Sequence, residues 1–307
     1  MKKRNIQLLL LFSSFLAFSC SSGEEKNEAK ELISEADSVV NSKGRTEEAP
    51  IKVQKLKMLT HSIPSPIEVA NIIKNSGGNY SKTNLNAPKN AKQYQSRFKQ
   101  ALNLGVYSAD LTLASMYNQH QDALTYLSSI NKLSELLEID HLFDMKVIEK
   151  LLKNSNNLDS LLTISTSNFE KINLYLHSQN QSQETTLILT GGWIEGLYQL
   201  SKIQKEISSE QLSEKIGEQK FVLEQLLKIL NTYEEEEYKA LHEDMKKLYV
   251  AYEDVIIETT QGHAEFKELN GMIMVTTDAI QHVDISEETL ENITVQLNQI
   301  RKNIIRI

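Results

Sequence analysis

YSADLTLASMYNQHQDALTYLSSINKLSELL, residues 107–137, decides the fold. Leu113, Met116 and Tyr117, then Leu124, Leu127 and Ile130, return at steps of three and four, the spacing of one face of an α-helix. No period-two alternation competes with it. The same pattern extends in both directions. Upstream, Ser65-Pro66-Ile67-Glu68 is a capping box with proline at the first helical position, and Gly77-Gly78 supply a stop. Pro88 is expected to open a second helix reaching about Asn103, with Gly105 interrupting it. Downstream, the periodicity predicts helices over 142–153, 157–178, 182–206, 209–231 and 234–252, with Asn157, Ser182 and Ser209 as N-caps. The acidic run Glu234–Glu237 then sits at a helix start, where negative charge suits the dipole, and reads as a solvated helix end.

Near Val255 the pattern changes. Val255–Thr260 (VIIETT) and Met272–Thr277 (MIMVTT) are rich in β-branched residues, with glycines at 262 and 271 between them, and are expected to pair as a hairpin. Asp284 or Ser286 caps a last helix over 287–305, striped by Leu290, Ile293, Leu297 and Ile300. The small and aromatic positions do not recur at a period of about 34 residues, which excludes a tetratricopeptide array. The expected architecture is mainly α: an irregular multi-helix bundle with a small β-hairpin near 255–284 and a C-terminal helix.

The amino terminus has a different character. Met1–Arg4 is basic, Ile6–Phe18 is apolar apart from Gln7, Ser13 and Ser14, and the run ends at Ala17-Phe18-Ser19-Cys20. A membrane span needs about 20 apolar residues, so this segment is short for one and has the layout of an export signal. Its end resembles a lipobox, with small residues at Ala17 and Ser19, although Phe18 and the absence of leucine at position 17 depart from the usual pattern. Cys20 is the single cysteine of 307 residues, so it has no disulfide partner within the chain. The expectation is a signal peptide over 1–19, an acylated Cys20 with a polar tether over 20–50, and a single mainly helical domain over 51–307. Several acyl chains on one terminus convert marginal membrane binding into stable anchoring.

Four prolines and eleven glycines suit long helices, and a hydrophobic share of 40% suits a packed body. The formal charge is −8, and loss of Lys2, Lys3 and Arg4 with the signal takes it to −11. An acidic body without a basic patch repels a phosphate backbone, so nucleic acid is not an expected partner. The seven histidines contain no pair at metal-chelating spacing, and no nucleophile elbow, phosphate loop or dinucleotide fingerprint occurs. No catalytic residue, metal or cofactor is expected, and the chain is read as a non-enzyme.

One segment is unusual. Leu187–Tyr198 (LILTGGWIEGLY) places three glycines and the single tryptophan inside an apolar helix. Each interior glycine costs about 1 kcal/mol against alanine. Two readings stay open. Gly192 and Gly196, four apart, permit close packing of another helix; or Gly191, Gly192, Trp193 and Tyr198 wall a groove with Glu195 as its polar contact. Asp110, on a face with Val106, Leu113 and Tyr117 and close in sequence to Tyr107, is a second carboxylate on an apolar face. Asp110 and Glu195 together would bind a cation or basic ligand, act as an acid/base pair, or simply be hydrogen-bonded inside the bundle.

Ile63–Glu68 (IPSPIE), Leu104–Leu111 (LGVYSADL) and Gly191–Gly196 (GGWIEG), together with the lipobox-type signal, resemble uncharacterised helical lipoproteins of Gram-negative bacteria. That resemblance implies an envelope location but no activity and no catalytic residues. No Asp follows Cys20 directly, so the outer membrane is the expected address, with either face open. The expected role is a lipid-anchored envelope protein that binds a partner; the alternative is an enzyme or small-ligand binder using a groove around Asp110, Trp193 and Glu195.

Overall fold

A computed structural model describes residues 66–142, 175–176, 182–260, 264–269, 272–277 and 281–307. The expected signal, Cys20, the tether, Ser65 and most of the two helices predicted between 142 and 178 lie outside the described residues. The described chain is mainly helical, with a small antiparallel β component and a C-terminal helix. It falls into two compact units, one containing the β-strands of Ile256–Asp284 and the other the helices that flank them in sequence. The single domain expected over 51–307 therefore has the β segment as a unit of its own.

The helices of the larger unit are α1 (Pro66–Asn75), α2 (Arg97–Met116), α3 (His120–Leu137), α4 (Ser182–Ile207), α5 (Glu210–Gly217), α6 (Gln219–Leu230), α7 (Glu236–Ala251) and α8 (Glu287–Ile305). Their ends follow local chemistry. Ser96, Ser209 and Ser286 cap α2, α5 and α8 by accepting from the backbone N–H three residues on. Gly77 has φ +83°, and Gly78 N–H donates to the Ile73 carbonyl at 3.1 Å, a Schellman stop for α1.

Three boundaries differ from expectation. The stretch 107–137 is two helices, because Asn118 adopts φ +55° and Gln119 N–H closes onto the Ala114 carbonyl at 2.8 Å, the same stop made with asparagine. Pro88 opens only a short 3-10 turn, Pro88–Lys92; the long helix starts at Arg97 and runs through Gly105 without a break. The predicted helix over 209–231 divides at Glu218 into α5 and α6.

The α2–α4 pair is the centre of this unit. α3 packs on α2, α1 packs on both members of the pair, and α8 packs on α4, α7 and α2. The core is aliphatic with buried tyrosines, among them Tyr107, Tyr126 and Tyr252.

In the β unit, β1 (Ile256–Thr259) pairs with β4 (Gln281–Asp284), and β2 (Ala264–Leu269) pairs with β3 (Met272–Thr277), all antiparallel. The expected partnership of 255–260 with 272–277 does not form. Leu269 lies opposite Met272 with only Asn270-Gly271 between them. That dipeptide favours the two-residue hairpin turn, and so selects the short-loop pairing over the longer one.

Candidate functional site

Asp110 is delivered by the middle of α2 and Glu195 by the middle of α4, and the two meet. Both are 0% exposed, and their carboxyls lie within hydrogen-bonding reach of one another. Asp110 Oδ2 accepts from the Asn86 backbone N–H at 3.0 Å, and Oδ1 accepts from Gln199 Nε2 at 3.1 Å. Glu195 is gripped by a third group, Arg301 of α8. Nε donates to Oε2 at 2.6 Å and Nη2 to Oε1 at 2.8 Å, the bidentate fork that suits a planar guanidinium. Arg301 Nη2 also donates to the Asn84 carbonyl at 2.9 Å, and its guanidinium carbon stands 4.0 Å from the centre of the Tyr198 ring.

The electrostatics follow from burial. Desolvation raises the Asp110 pKa well above the ordinary carboxylate value, and the neighbouring Glu195 charge raises it further against the opposing pull of Arg301. Burial alone would discourage the Arg301 cation, but Glu195 and Asp110 more than compensate and its pKa rises. Burial thus favours the neutral form of Asp110, while the carboxyls beside Arg301 favour its cationic form. An isolated buried charge would cost far more than the fold can supply.

Around this centre a polar network fastens the ends of three segments. Asn86 Nδ2 donates to the Tyr94 hydroxyl at 3.0 Å and to Asn103 Oδ1 at 3.1 Å. Tyr94 in turn donates to the Ile305 carbonyl, and Asn103 Nδ2 to the Ile304 carbonyl, both at 3.1 Å. Lys99 Nζ also reaches the carbonyls of Asn303, Ile304 and Arg306. A lysine at a helix C-terminus meets unpaired carbonyls and the negative end of the dipole.

The remaining residues singled out in the sequence have packing roles. A Cβ on Gly191 would sit 1.9 Å from the Leu102 carbonyl oxygen, and one on Gly105 would sit 2.0 Å from that of Ile188. These two glycines let the backbones of α2 and α4 touch. Gly192 and Gly196, the pair read as the close-approach motif, are less demanding: their nearest neighbours would be 3.4 and 3.5 Å from an added Cβ. Trp193 is 5% exposed and donates Nε1–H to Gln219 Oε1 at 2.9 Å. The crevice beside it, lined by Pro66, Val69, Gly192, Leu197, Leu200 and Gln219, has a volume of about 10 Å³, room for roughly one water. Tyr107 is fully buried and donates to the Ala87 carbonyl at 2.9 Å. Tyr198 serves as the platform under Arg301.

The structure thus joins Asp110, Glu195 and Tyr198 in one cluster and places Gly191 and Trp193 in neighbouring contacts of the same helix. Sequence reasoning missed Arg301, Asn86 and Gln199. Arg301 did leave a signal: it falls four residues after Leu297 and three before Ile304, on the apolar stripe of its helix, where a cation requires a buried partner. Among the described residues, no group of three His, Cys, Asp or Glu side chains is placed to hold a metal ion. Comparison with protein-family models, with curated proteins and with solved structures returns no match.

Proposed function

We propose that the chain is a lipid-anchored envelope protein whose helical body acts by binding a partner rather than by catalysis. The observation that carries the anchor is Cys20: the single thiol of the chain stands where a basic, apolar, small-residue export segment ends. Acylation there gives a polar body a stable hold on a bilayer without a spanning segment. Among the described residues no helix is long and apolar enough to cross a membrane.

The binding half of the reading is supported by the engagement of the two notable carboxyls. A general acid or base must reach the proton it transfers. Asp110 and Glu195 are enclosed and satisfied by Asn86, Gln199 and Arg301 instead. Their chemistry is spent on holding helices together, which leaves the outer surface for recognition. The outer membrane is the proposed address, since Ser21 rather than Asp follows Cys20.

Mass spectrometry of the chain purified from membranes tests the anchor. The expected amino-terminal peptide begins at Cys20 and carries a thioether-linked diacylglycerol, and Cys20→Ala shifts the protein out of the membrane fraction. An unmodified thiol at residue 20, or a mature start downstream of it, overturns the reading.

A further inference from the structure

We propose that the Asp110–Glu195–Arg301 cluster is a proton-held latch on the C-terminal helix: one proton shared by the two carboxyls keeps α8 docked, and its loss to solvent at alkaline pH releases the helix.

The geometry sets the charge count. Two fully buried carboxyls from α2 and α4 lie beside one nearly buried guanidinium from α8, which is bonded to Glu195. With the proton in place, Asp110 is a neutral donor to Glu195, and Glu195 and Arg301 balance. Without it, two anions face each other against one cation in a closed interior, which favours any opening that admits water.

The groups facing Asp110 come from every element packed around it. Glu195 and Tyr198 belong to α4, Arg301 to α8, and Tyr126 to α3. Tyr80 precedes α2 and Tyr107 lies on α2 itself; Tyr94, also before α2, stands behind Tyr107 and toward Arg301. Asp122 faces Tyr80 and Tyr126 from α3, and Lys202 Nζ stands 5.2 Å from the Tyr198 ring centre. All five tyrosines are pushed above their ordinary value, chiefly by burial, and stay neutral while a carboxyl titrates.

α8 is the element that yields. α2 and α4 are in backbone contact through Gly105 and Gly191, whereas α8 is held by side chains alone along its length, the buried stripe of Ile293, Leu297, Ile300 and Ile304 together with Arg301, and by the carbonyls at its end. Lys99, which holds those carbonyls, has a pKa lowered mainly by burial. Its contribution has the opposite sign: an unfolded chain that binds more protons gains nothing as pH rises, so Lys99 favours the folded state on that side. A loss of stability with rising pH is therefore the signature of Asp110.

The test is hydrogen exchange of the α8 amides in the full chain, in detergent, from about pH 6 to about pH 8. Intrinsic exchange accelerates tenfold per pH unit. A proton-linked opening adds up to a further tenfold per unit while Asp110 is protonated only in the closed form. The wild-type chain is expected to show this excess in α8, and Asp110→Asn, which keeps a neutral donor in place, is expected to show the intrinsic slope alone. The second measurement needs no variant: the folded wild-type chain at pH 7 is expected to retain an infrared band from a protonated carboxyl. An intrinsic slope for wild type, an equal excess in Asp110→Asn, or absence of the carboxylic acid band overturns the latch.

Discussion

α2 and α4 meet twice within a turn and a half, by opposite means. At Gly105 and Gly191 the helices touch because atoms are missing, and backbone carbonyls occupy the space of absent β-carbons. At Asp110 and Glu195 they touch because charges are present, and the contact is tolerable only since a third helix supplies Arg301. The first contact fails on addition and the second on deletion. Gly191 and Glu195, four residues apart, share one face of α4, whereas Trp193 projects from the opposite side toward Gln219.

The largest effects are expected at the charged contact. Glu195→Gln leaves the Arg301 cation buried with half its partner gone, and Arg301→Met strands the Glu195 carboxylate. Each is expected to cost about 3–5 kcal/mol in denaturant unfolding, the range for breaking a buried pair from one side. Replacing both by apolar residues of similar volume is expected to recover much of that loss, which a purely packing account would not produce.

Next in size is the glycine contact. Gly191→Ala must push the Leu102 carbonyl away from a β-carbon 1.9 Å distant. Overpacking of this kind costs about 1–3 kcal/mol, and Gly105→Ala is expected to match it. The smallest effect has the opposite sign. At Gly196 the nearest atoms are Val69 methyls at 3.5 Å, ordinary contact, so Gly196→Ala is expected to gain up to about 1 kcal/mol from helix propensity. Thermal melts of the three alanine variants sort them: equal losses at 191 and 196 would erase the distinction drawn here.

pH separates the two contacts as well. Asp110 has a folded-state pKa raised above its unfolded value, so its contribution to stability is complete below the unfolded carboxylate range and is lost as pH rises toward the folded value. Urea midpoints of Gly191→Ala are expected to retain that decline, and those of Asp110→Asn to lack it.

Most of the helical architecture was legible because a 3.6-residue period depends only on which side chains face inward. The stop at Gly77, the caps at Ser209 and Ser286 and the span of α4 all follow from local chemistry. The break at Asn118 was legible in principle, since asparagine tolerates the left-handed conformation, but no glycine marked it. The strand pairing went astray because β-branched composition identifies strands without choosing partners; Asn270-Gly271 made that choice.

Asp110 and Glu195 were visible as carboxylates on apolar faces, yet their separation of 85 residues hid their contact. Arg301, another 106 residues on, is brought in only by tertiary packing. Glycine told the same story from the other side. Its cost within a helix announced a close approach, while the identity of the approaching backbone depended on how α2 crosses α4.

A double-mutant cycle on Glu195 and Arg301 bears most directly on the account. With Glu195→Gln, Arg301→Met and the pair together, unfolding free energies are expected to show a coupling of about 2 kcal/mol or more, toward the upper end for residues in contact. Strictly additive losses would mean that the two side chains do not hold α4 and α8 together, and the buried cluster would lose its structural role.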